Sequence, residues 1–535
     1  MSRNALLGLK RIFFDRIFLR SYWTWRKHPA IIVPSMLQSG LSLILQSVIT
    51  LAVMLLLISE PADTQLARLF AAMISSRSGG LLGVLLNPAF WFTNIPLSTG
   101  VFVALILVAL LGGGWVYSSE YGTYLEAWNS ESIPISAVVS NGSRRWMSMA
   151  WTLLVSNLVT WGPAAIGLGL IVASLANINS PAGVVALLAA SYAFQPLFFA
   201  SLILSVFTVY SYPAVVVDGA SGMGAVRRSF RVASHNLGLT LTYSIVRIIF
   251  QGLLLLVTYL ANGLGVAASL STAFIVVTLS FILTPILHLT KSMIYYHAGQ
   301  SVRETPFQIS NLIWRDVMRR LPRAVWLKIR AGLGEGLRFV VGPRNLPFHA
   351  ASFAALAIGI YLGYNVSVSG VGSSLLGLGA QPGHGNPDFR QFTAATPVDG
   401  VAIFLNNWFV SFATAFSGLG FAAPSFISIM FTGFTLGVLV GPQLSPSLTM
   451  FSAAILPHGI IEIPSFLLAG SAGMRLGYAA LKTKFRPGPE SDAYLSKTMR
   501  LAVYVVVGLA PLFFIAGLIE ADVTPFIMKM FGWTF

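Results

Sequence analysis

The chain has 535 residues, of which 56% are hydrophobic and 9% are charged, and it contains no cysteine. Soluble domains carry about 25% charged residues, so the composition excludes a water-soluble globule and a disordered chain. The absence of cysteine excludes disulfides, iron–sulfur clusters, cysteine-bound zinc and a thiol nucleophile. The formal net charge of +16 would suggest nucleic-acid binding in a soluble protein, but the placement of the charges indicates a membrane orientation instead.

Residues 1–28 place a Lys or Arg every few positions among Phe, Leu and Ile. This pattern is typical of a basic helix that lies in the membrane interface, with Trp23 and Trp25 at the level of the lipid headgroups. A solvated basic tail is the alternative. The segment has no small-residue cleavage site, which argues against a cleavable signal peptide.

Eleven apolar segments follow, and each is suited to a helix that crosses about 30 Å of hydrocarbon. Only a helix satisfies its own backbone hydrogen bonds in a single lipid-embedded segment. The segments are residues 31–58, 97–118, 146–175, 183–217, 237–261, 266–289, 348–366, 401–422, 424–440, 448–481 and 501–519. The sequence therefore predicts an all-α, polytopic integral membrane protein with about 11 transmembrane helices in two modules.

The Lys and Arg residues predict one orientation of these helices. Of the 33 cations, 27 fall on one side of the membrane and four on the other when the segments are threaded in order. Cytoplasmic loops carry the excess of positive charge in membrane proteins. We therefore expect a multi-pass protein of the cell membrane with its N-terminus in the cytoplasm and its C-terminus outside.

The predicted first module, residues 29–300, contains six of the apolar segments. Pro213 to Gly219 and Ala225 to Ala233 place small and basic residues after the fourth segment. They resemble the multi-pass domain associated with glycerophosphodiester phosphodiesterases, which implies membrane residence and lipid contact. Arg247 lies inside the fifth segment, where a charge requires a carboxylate or carbonyl of a neighbouring helix as its partner. The functional alternative is that Arg247 grips a phosphate or carboxylate group.

Residues 301–346 form a predicted cytoplasmic linker. Its Arg-rich amphipathic pattern is typical of a surface helix on anionic lipid headgroups, and docking of a cytoplasmic protein is the alternative. No array of base-stacking aromatic residues accompanies the charge, which argues against nucleic acid as a partner. The residues predicted to face lipid or a partner are Arg315, Arg319, Arg320, Arg323 and Trp326.

The predicted second module, residues 347–535, carries a series of short motifs in apolar surroundings. They are Asn406-Asn407, Gly433-Phe434-Thr435-Leu436-Gly437, Pro457-His458-Gly459-Ile460-Ile461-Glu462, Ala469 to Gly477 and Leu518 to Pro525. In this order they resemble the stage II sporulation protein M family, a group of bacterial and archaeal multi-pass membrane proteins. The resemblance implies assembly with partner proteins, and the first 300 residues are additional to its pattern.

Two prolines and a glycine interrupt the long segment at 448–481. Pro457 and Pro464 cannot donate backbone hydrogen bonds and Gly459 loosens the chain, so the sequence predicts a helix break here. His458 and Glu462 are four residues apart and share a face wherever the helix continues.

These side chains belong to a candidate intramembrane polar site. Its predicted members are His458, Glu462, Asn406, Asn407, Arg475 and Glu520. We expect the Glu462 carboxyl to hydrogen-bond to the histidine, an asparagine or a freed backbone group, because a buried unpaired carboxylate is costly. Three interpretations stay open: a structural polar clamp, a proton or ion path, and a metal site in which Glu520 is the third ligand.

The function predicted from these features is a non-enzymatic membrane scaffold of an envelope- or membrane-associated complex. The alternative is a transporter or channel that uses the segment from Pro457 to Glu462 as its path. The sequence contains no Gly-x-Ser-x-Gly, His-Glu-x-x-His or phosphate-binding loop motif, which argues against an enzyme. We expect no cofactor or resident metal; the expected partners are anionic lipids, protein subunits and a second copy of the chain.

Overall fold

The computed structural model describes residues 11–38, 41, 45, 95–175, 180–262, 282–296, 321–368, 397–419, 422–441, 448–486 and 488–531. All regular elements within these ranges are helical. Most of the predicted first span, residues 31–58, lies outside the described residues, as does much of the predicted span at 266–289. Three of the linker arginines, Arg315, Arg319 and Arg320, also lie outside them.

Sixteen α-helices are numbered here within the described ranges. The first nine are α1 (Leu19–Lys27), α2 (Ile95–Asn129), α3 (Ile135–Arg144), α4 (Trp146–Leu175), α5 (Pro181–Phe207), α6 (Ser211–Val217), α7 (Met223–His235), α8 (Leu237–Asn262) and α9 (282–296). The others are α10 (Leu321–Val341), α11 (Leu346–Val368), α12 (Pro397–Ser417), α13 (Ala423–Val440), α14 (Leu448–Phe485), α15 (Pro489–Leu518) and α16 (Thr524–Met530). Two π-helical segments, Arg11–Phe18 and Ile519–Val523, precede α1 and α16.

Nine helical stretches in the described part of the chain are long and apolar enough to cross a membrane. They are Phe102–Asn129, Trp146–Ser174, Pro181–Val217, Leu237–Val257, Pro343–Val368, Gly400–Ser417, Ala423–Val440, Phe451–Thr483 and Pro489–Met530. This confirms the predicted all-α, multi-pass class. The total of about 11 spans and the orientation stay predictions.

The chain divides into two compact units. One comprises residues 1–38, 109–256 and 278–315, and the other comprises residues 39–108, 257–277 and 316–535. The predicted modules, linker and N-terminal segment were bounded by sequence pattern alone, and those bounds stay predictions.

The first unit has an aromatic core built from residues of α2, α8, α9 and the turn that precedes α6. Tyr124, Tyr210 and Tyr243 are fully buried in it. Phe13 and Ile17 of the N-terminal π-helical segment are also buried in this core. That side of the predicted interfacial helix therefore packs on protein, because its large apolar side chains find aromatic partners there.

The second unit is a helical bundle in which glycines bring backbones into contact. Gly359 and Gly363 of α11 lie against the backbone of α13, where an added Cβ would overlap the carbonyl oxygens of Met430 and Phe434. Small residues at four-residue spacing permit this close approach in membrane helices. At these glycines, the backbones of α11 and α13 meet without a side chain between them.

Helix α10, the described part of the predicted linker, packs along α15 in the second unit. Gly332 and Gly508 bring the two backbones together. Lys328 Nζ donates a hydrogen bond of 3.0 Å to Tyr504 Oη. Arg323 and Trp326 are exposed on α10, with Trp326 at 66%. One face of α10 is thus occupied by the protein itself, and its exposed residues remain available to lipid or a partner.

Candidate intramembrane polar site

The polar site is built on α14, which runs without interruption from Leu448 to Phe485 and contains both Pro457 and Pro464. The predicted helix break at Pro457, Gly459 and Pro464 is therefore wrong. Each proline removes one backbone donor, but the hydrogen bonds of the surrounding turns and the packing of neighbouring helices preserve the helix.

His458 projects from α14 toward the end of α15 and is 9% exposed. Its Nδ1 lies 3.3 Å from Thr524 Oγ1, and that hydroxyl donates a hydrogen bond of 3.2 Å to the carbonyl of Ile519. While the hydroxyl donates its single proton to the Ile519 carbonyl, it can only accept from His458, which selects the tautomer with the proton on Nδ1. The neutral imidazole then carries its lone pair on Nε2, which lies 4.0 Å from Glu520 Oε2.

Glu462 lies one turn after His458 on the same face of α14. Its Oε1 accepts a hydrogen bond of 3.0 Å from Asn407 Nδ2 on α12. Asn407 Oδ1 in turn accepts a bond of 3.2 Å from Asn406 Nδ2, which orients the Asn407 amide. Glu462 Oε2 is buried and has no hydrogen-bond partner in the described part of the chain. One carboxylate oxygen is therefore fixed and the other is free to take a ligand.

Glu520 reaches this pair from the π-helical turn Ile519–Val523, which joins α15 to α16. One ligand atom each from His458, Glu462 and Glu520 lies within 4.8 Å of the other two. A π-turn widens the helix locally and is frequent at functional sites. The turn brings a second carboxylate to the His458–Glu462 pair from a separate helix.

Arg475 does not belong to the cluster. Its guanidinium donates to Asn345 Oδ1, and Asn345 Nδ2 donates a bond of 2.7 Å to the Phe339 carbonyl. At 1.5 Å per residue, Arg475 lies about 20 Å from Glu462 along α14. The prediction that placed Arg475 in the polar site is wrong, because α14 runs without interruption between Glu462 and Arg475 and carries their side chains apart.

Arg247, the charge predicted inside the fifth segment, lies on α8 in the first unit. Its Nε is buried and has no hydrogen-bond partner among the residues that the structure describes. The expected carboxylate or carbonyl partner is therefore not found at this nitrogen in the described ranges.

The first unit also contains a polar cluster that the sequence did not reveal. Glu120 Oε1 accepts hydrogen bonds from Tyr124 Oη at 2.6 Å and lies 2.7 Å from His288 Nδ1. The ammonium group of Lys291 lies 5.0 Å from the ring centre of Tyr121. Glu120 and His288 are 168 residues apart in the chain. In the sequence, each is simply a polar residue close to the end of an apolar segment, and nothing there indicates that the two meet.

The family comparison concerns the second module. The model of the family described as stage II sporulation protein M matches residues 352–525, which include His458, Glu462 and Glu520. No solved structure matches the chain. The family match does not reach the first module, and the resemblance to the domain associated with glycerophosphodiester phosphodiesterases finds no support in the comparisons.

Two relatives come from Methanocaldococcus jannaschii. Uncharacterized protein MJ0793 is 33% identical over 130 residues, which cover 23% of this chain and 70% of the relative. Uncharacterized protein MJ0706 is 33% identical over 84 residues, which cover 15% of this chain and 37% of that relative. Neither name states an activity, so the relatives place the chain in a group without assigning it a reaction.

Proposed function

Because the chain belongs to the stage II sporulation protein M family through its C-terminal module, we propose that it is a non-enzymatic scaffold that gathers partner proteins in the cell membrane. The observation that carries this proposal is the backbone-to-backbone packing of the second unit. A scaffold requires a surface of fixed shape, and close helix packing supplies it.

The glycine contacts recur across the helix pairs of the second unit. In addition to the α11–α13 pair, they join α12 to α14, α12 to α15 and α10 to α15. The contacts are those of Gly418, which directly follows α12, with Gly473 of α14, of Gly400 on α12 with Gly517 of α15, and of Gly332 on α10 with Gly508 of α15. If one helix of such a pair moved along the other, a neighbouring side chain would collide with the backbone of the second helix. The packing therefore favours a bundle of fixed geometry over one whose helices move relative to each other.

The exposed side of α10 supports contact with a membrane surface. Arg323 and Arg330 are exposed there, and Trp326 offers an amphipathic ring of the kind enriched at headgroup level. Each cation near an anionic leaflet contributes about 1 kcal/mol to binding. In the proposed function, anionic lipids stabilise this helix at the membrane and the bundle presents its remaining surface to protein partners.

Quantitative affinity purification from native membranes in mild detergent tests the proposal. We expect a tagged chain to recover a reproducible set of membrane proteins, and deletion of the gene to lower their abundance or displace them. Recovery of the chain alone, together with unchanged partner abundance and location after deletion, would contradict a scaffold role.

Transport is the second candidate, favoured by the buried group of His458, Glu462 and Glu520. Ionisable side chains within membrane helices commonly mark ion or proton paths. Flux of protons or ions into reconstituted vesicles tests this role with Glu462→Gln, and Asp522→Asn is the matched control because Asp522 is exposed on the same π-turn as Glu520. Equal flux in the wild type, Glu462→Gln and empty vesicles would exclude transport through this group.

A further inference from the structure

The geometry points to a binding site for one divalent transition-metal ion at His458, Glu462 and Glu520. The site supplies one imidazole nitrogen and two carboxylate oxygens from α14 and the π-turn. Three protein ligands with an open fourth position form a recurrent metal-binding arrangement. This inference goes beyond the proposed scaffold function and holds whether or not partner proteins bind.

The separation of the ligand atoms suits a small metal ion. The three atoms lie within 4.8 Å of one another. In a tetrahedral site with bonds of about 2.1 Å, ligand atoms are about 3.4 Å apart. Each atom must therefore move by roughly an ångström, which rotation about the side-chain bonds of two glutamates provides without a change in the helices.

Thr524 prepares His458 for this role. The hydroxyl accepts from Nδ1–H and donates its own O–H to the carbonyl of Ile519. Metal-bound histidines almost always donate their second ring N–H to an acceptor of this kind, which fixes the tautomer and the ring orientation. The lone pair of Nε2 then faces the oxygen of Glu520 across 4.0 Å, a gap too long for a hydrogen bond.

A divalent ion in this gap would also neutralise charge in the cluster. When both carboxyls are ionised, they and a neutral imidazole leave the cluster with an excess of negative charge within membrane-spanning helices. Asn407 satisfies Glu462 Oε1, whereas Glu462 Oε2 is buried without a hydrogen-bond partner among the described residues. Because an unpaired buried carboxylate is costly, a divalent ion that neutralises both glutamates stabilises the cluster.

The donor set indicates the class of metal. A mixture of imidazole nitrogen and carboxylate oxygen suits Zn²⁺ and the neighbouring first-row divalent ions. Mg²⁺ prefers oxygen ligands in an octahedron and retains several waters, and Ca²⁺ takes six to eight oxygens. We therefore expect zinc or a similar ion to bind in preference to magnesium or calcium.

Metal analysis of the full-length protein in detergent tests the inference. The protein is stripped with a chelator, dialysed against Zn²⁺ alone and analysed for bound metal by mass spectrometry. The expected result is one zinc ion per chain, with loss of that zinc in Glu462→Gln and Glu520→Gln. Asp522→Asn should retain it, because Asp522 is an exposed carboxylate on the same π-turn. Thr524→Val should weaken zinc binding by about 10- to 100-fold.

Thermal unfolding with and without Zn²⁺ separates loss of metal from loss of folding. Zinc should raise the unfolding temperature of the wild type and Asp522→Asn, and it should leave that of Glu520→Gln unchanged. Absence of bound zinc in the wild type would overturn the site. Equal zinc loss in Asp522→Asn and Glu520→Gln, or equal binding of Mg²⁺ and Zn²⁺, would also overturn it. These readings need no partner, so they are independent of the scaffold test.

Discussion

Asn407 on α12 donates a hydrogen bond of 3.0 Å to Glu462 on α14. This bond joins two membrane helices through a polar pair and leaves the second oxygen of the carboxyl without a hydrogen-bond partner in the described ranges. The same bond therefore stabilises the bundle and orients the carboxyl toward the space shared with His458 and Glu520.

The Asn407–Glu462 bond should contribute measurably to stability. Asn407→Ala removes the donor and leaves a buried carboxyl oxygen unsatisfied, which should cost about 1–3 kcal/mol of the free energy of unfolding. Denaturant or thermal unfolding in detergent measures the loss. Asn406→Ala is the matched control, since Asn406 bonds to Asn407 and is exposed. Equal losses in the two variants would show that the bond to Glu462 contributes nothing of its own.

Two glycine substitutions should change stability in opposite directions. Gly363→Ala places a methyl group against the Phe434 carbonyl between α11 and α13, so the unfolding temperature should fall. Gly336→Ala on α10 meets nothing within 4 Å, so the better helix propensity of Ala should stabilise by up to about 1 kcal/mol. A rise in both unfolding temperatures would argue against the close packing of α11 and α13.

Lys291 should make the stability of the first unit depend on pH. It follows the predicted span at 266–289, and burial lowers its pKa to about 7 from the ordinary value of 10.5, while the Glu120 carboxylate opposes that shift. Between about pH 7 and pH 10.5, Lys291 is protonated in the unfolded chain and deprotonated in the folded chain. The destabilisation from this group is therefore fully present at and below about pH 7, and stability rises as the pH increases toward 10.

Unfolding measured from pH 7 to pH 9 in detergent tests this dependence. Lys291→Met should remove the rise in stability with pH, because Met cannot titrate. Lys497→Met is the control, since Lys497 is exposed, and it should preserve the rise. A pH profile that is identical in the wild type and Lys291→Met would contradict the assignment.

The helical class followed from the sequence because the length and apolar character of a membrane span are local properties. The placement of His458 and Glu462 on one face of α14 was also predictable, since a spacing of four residues puts two side chains on the same side of a helix. The break predicted at Pro457 was wrong because the missing hydrogen bond is a local defect that the packing of neighbouring helices tolerates.

Other parts of the site depend on contacts between distant residues. Glu520 joins His458 only through the π-turn at the end of α15, and nothing in the local sequence specifies that turn. The Glu120–His288 contact joins residues 168 positions apart. Arg475 was assigned to the polar site from its place in a sequence motif. In the structure, it lies further along α14 and donates a hydrogen bond to Asn345 instead.

The multi-pass arrangement underlies every assignment above, and its most direct test uses the absence of native cysteine. Arg323→Cys on α10 and Met530→Cys on α16 each introduce one thiol at an exposed position. Intact cells are treated with a membrane-impermeant maleimide before and after permeabilisation. We predict that Met530→Cys is labelled in intact cells and that Arg323→Cys is labelled only after permeabilisation. Labelling of Arg323→Cys in intact cells would contradict it.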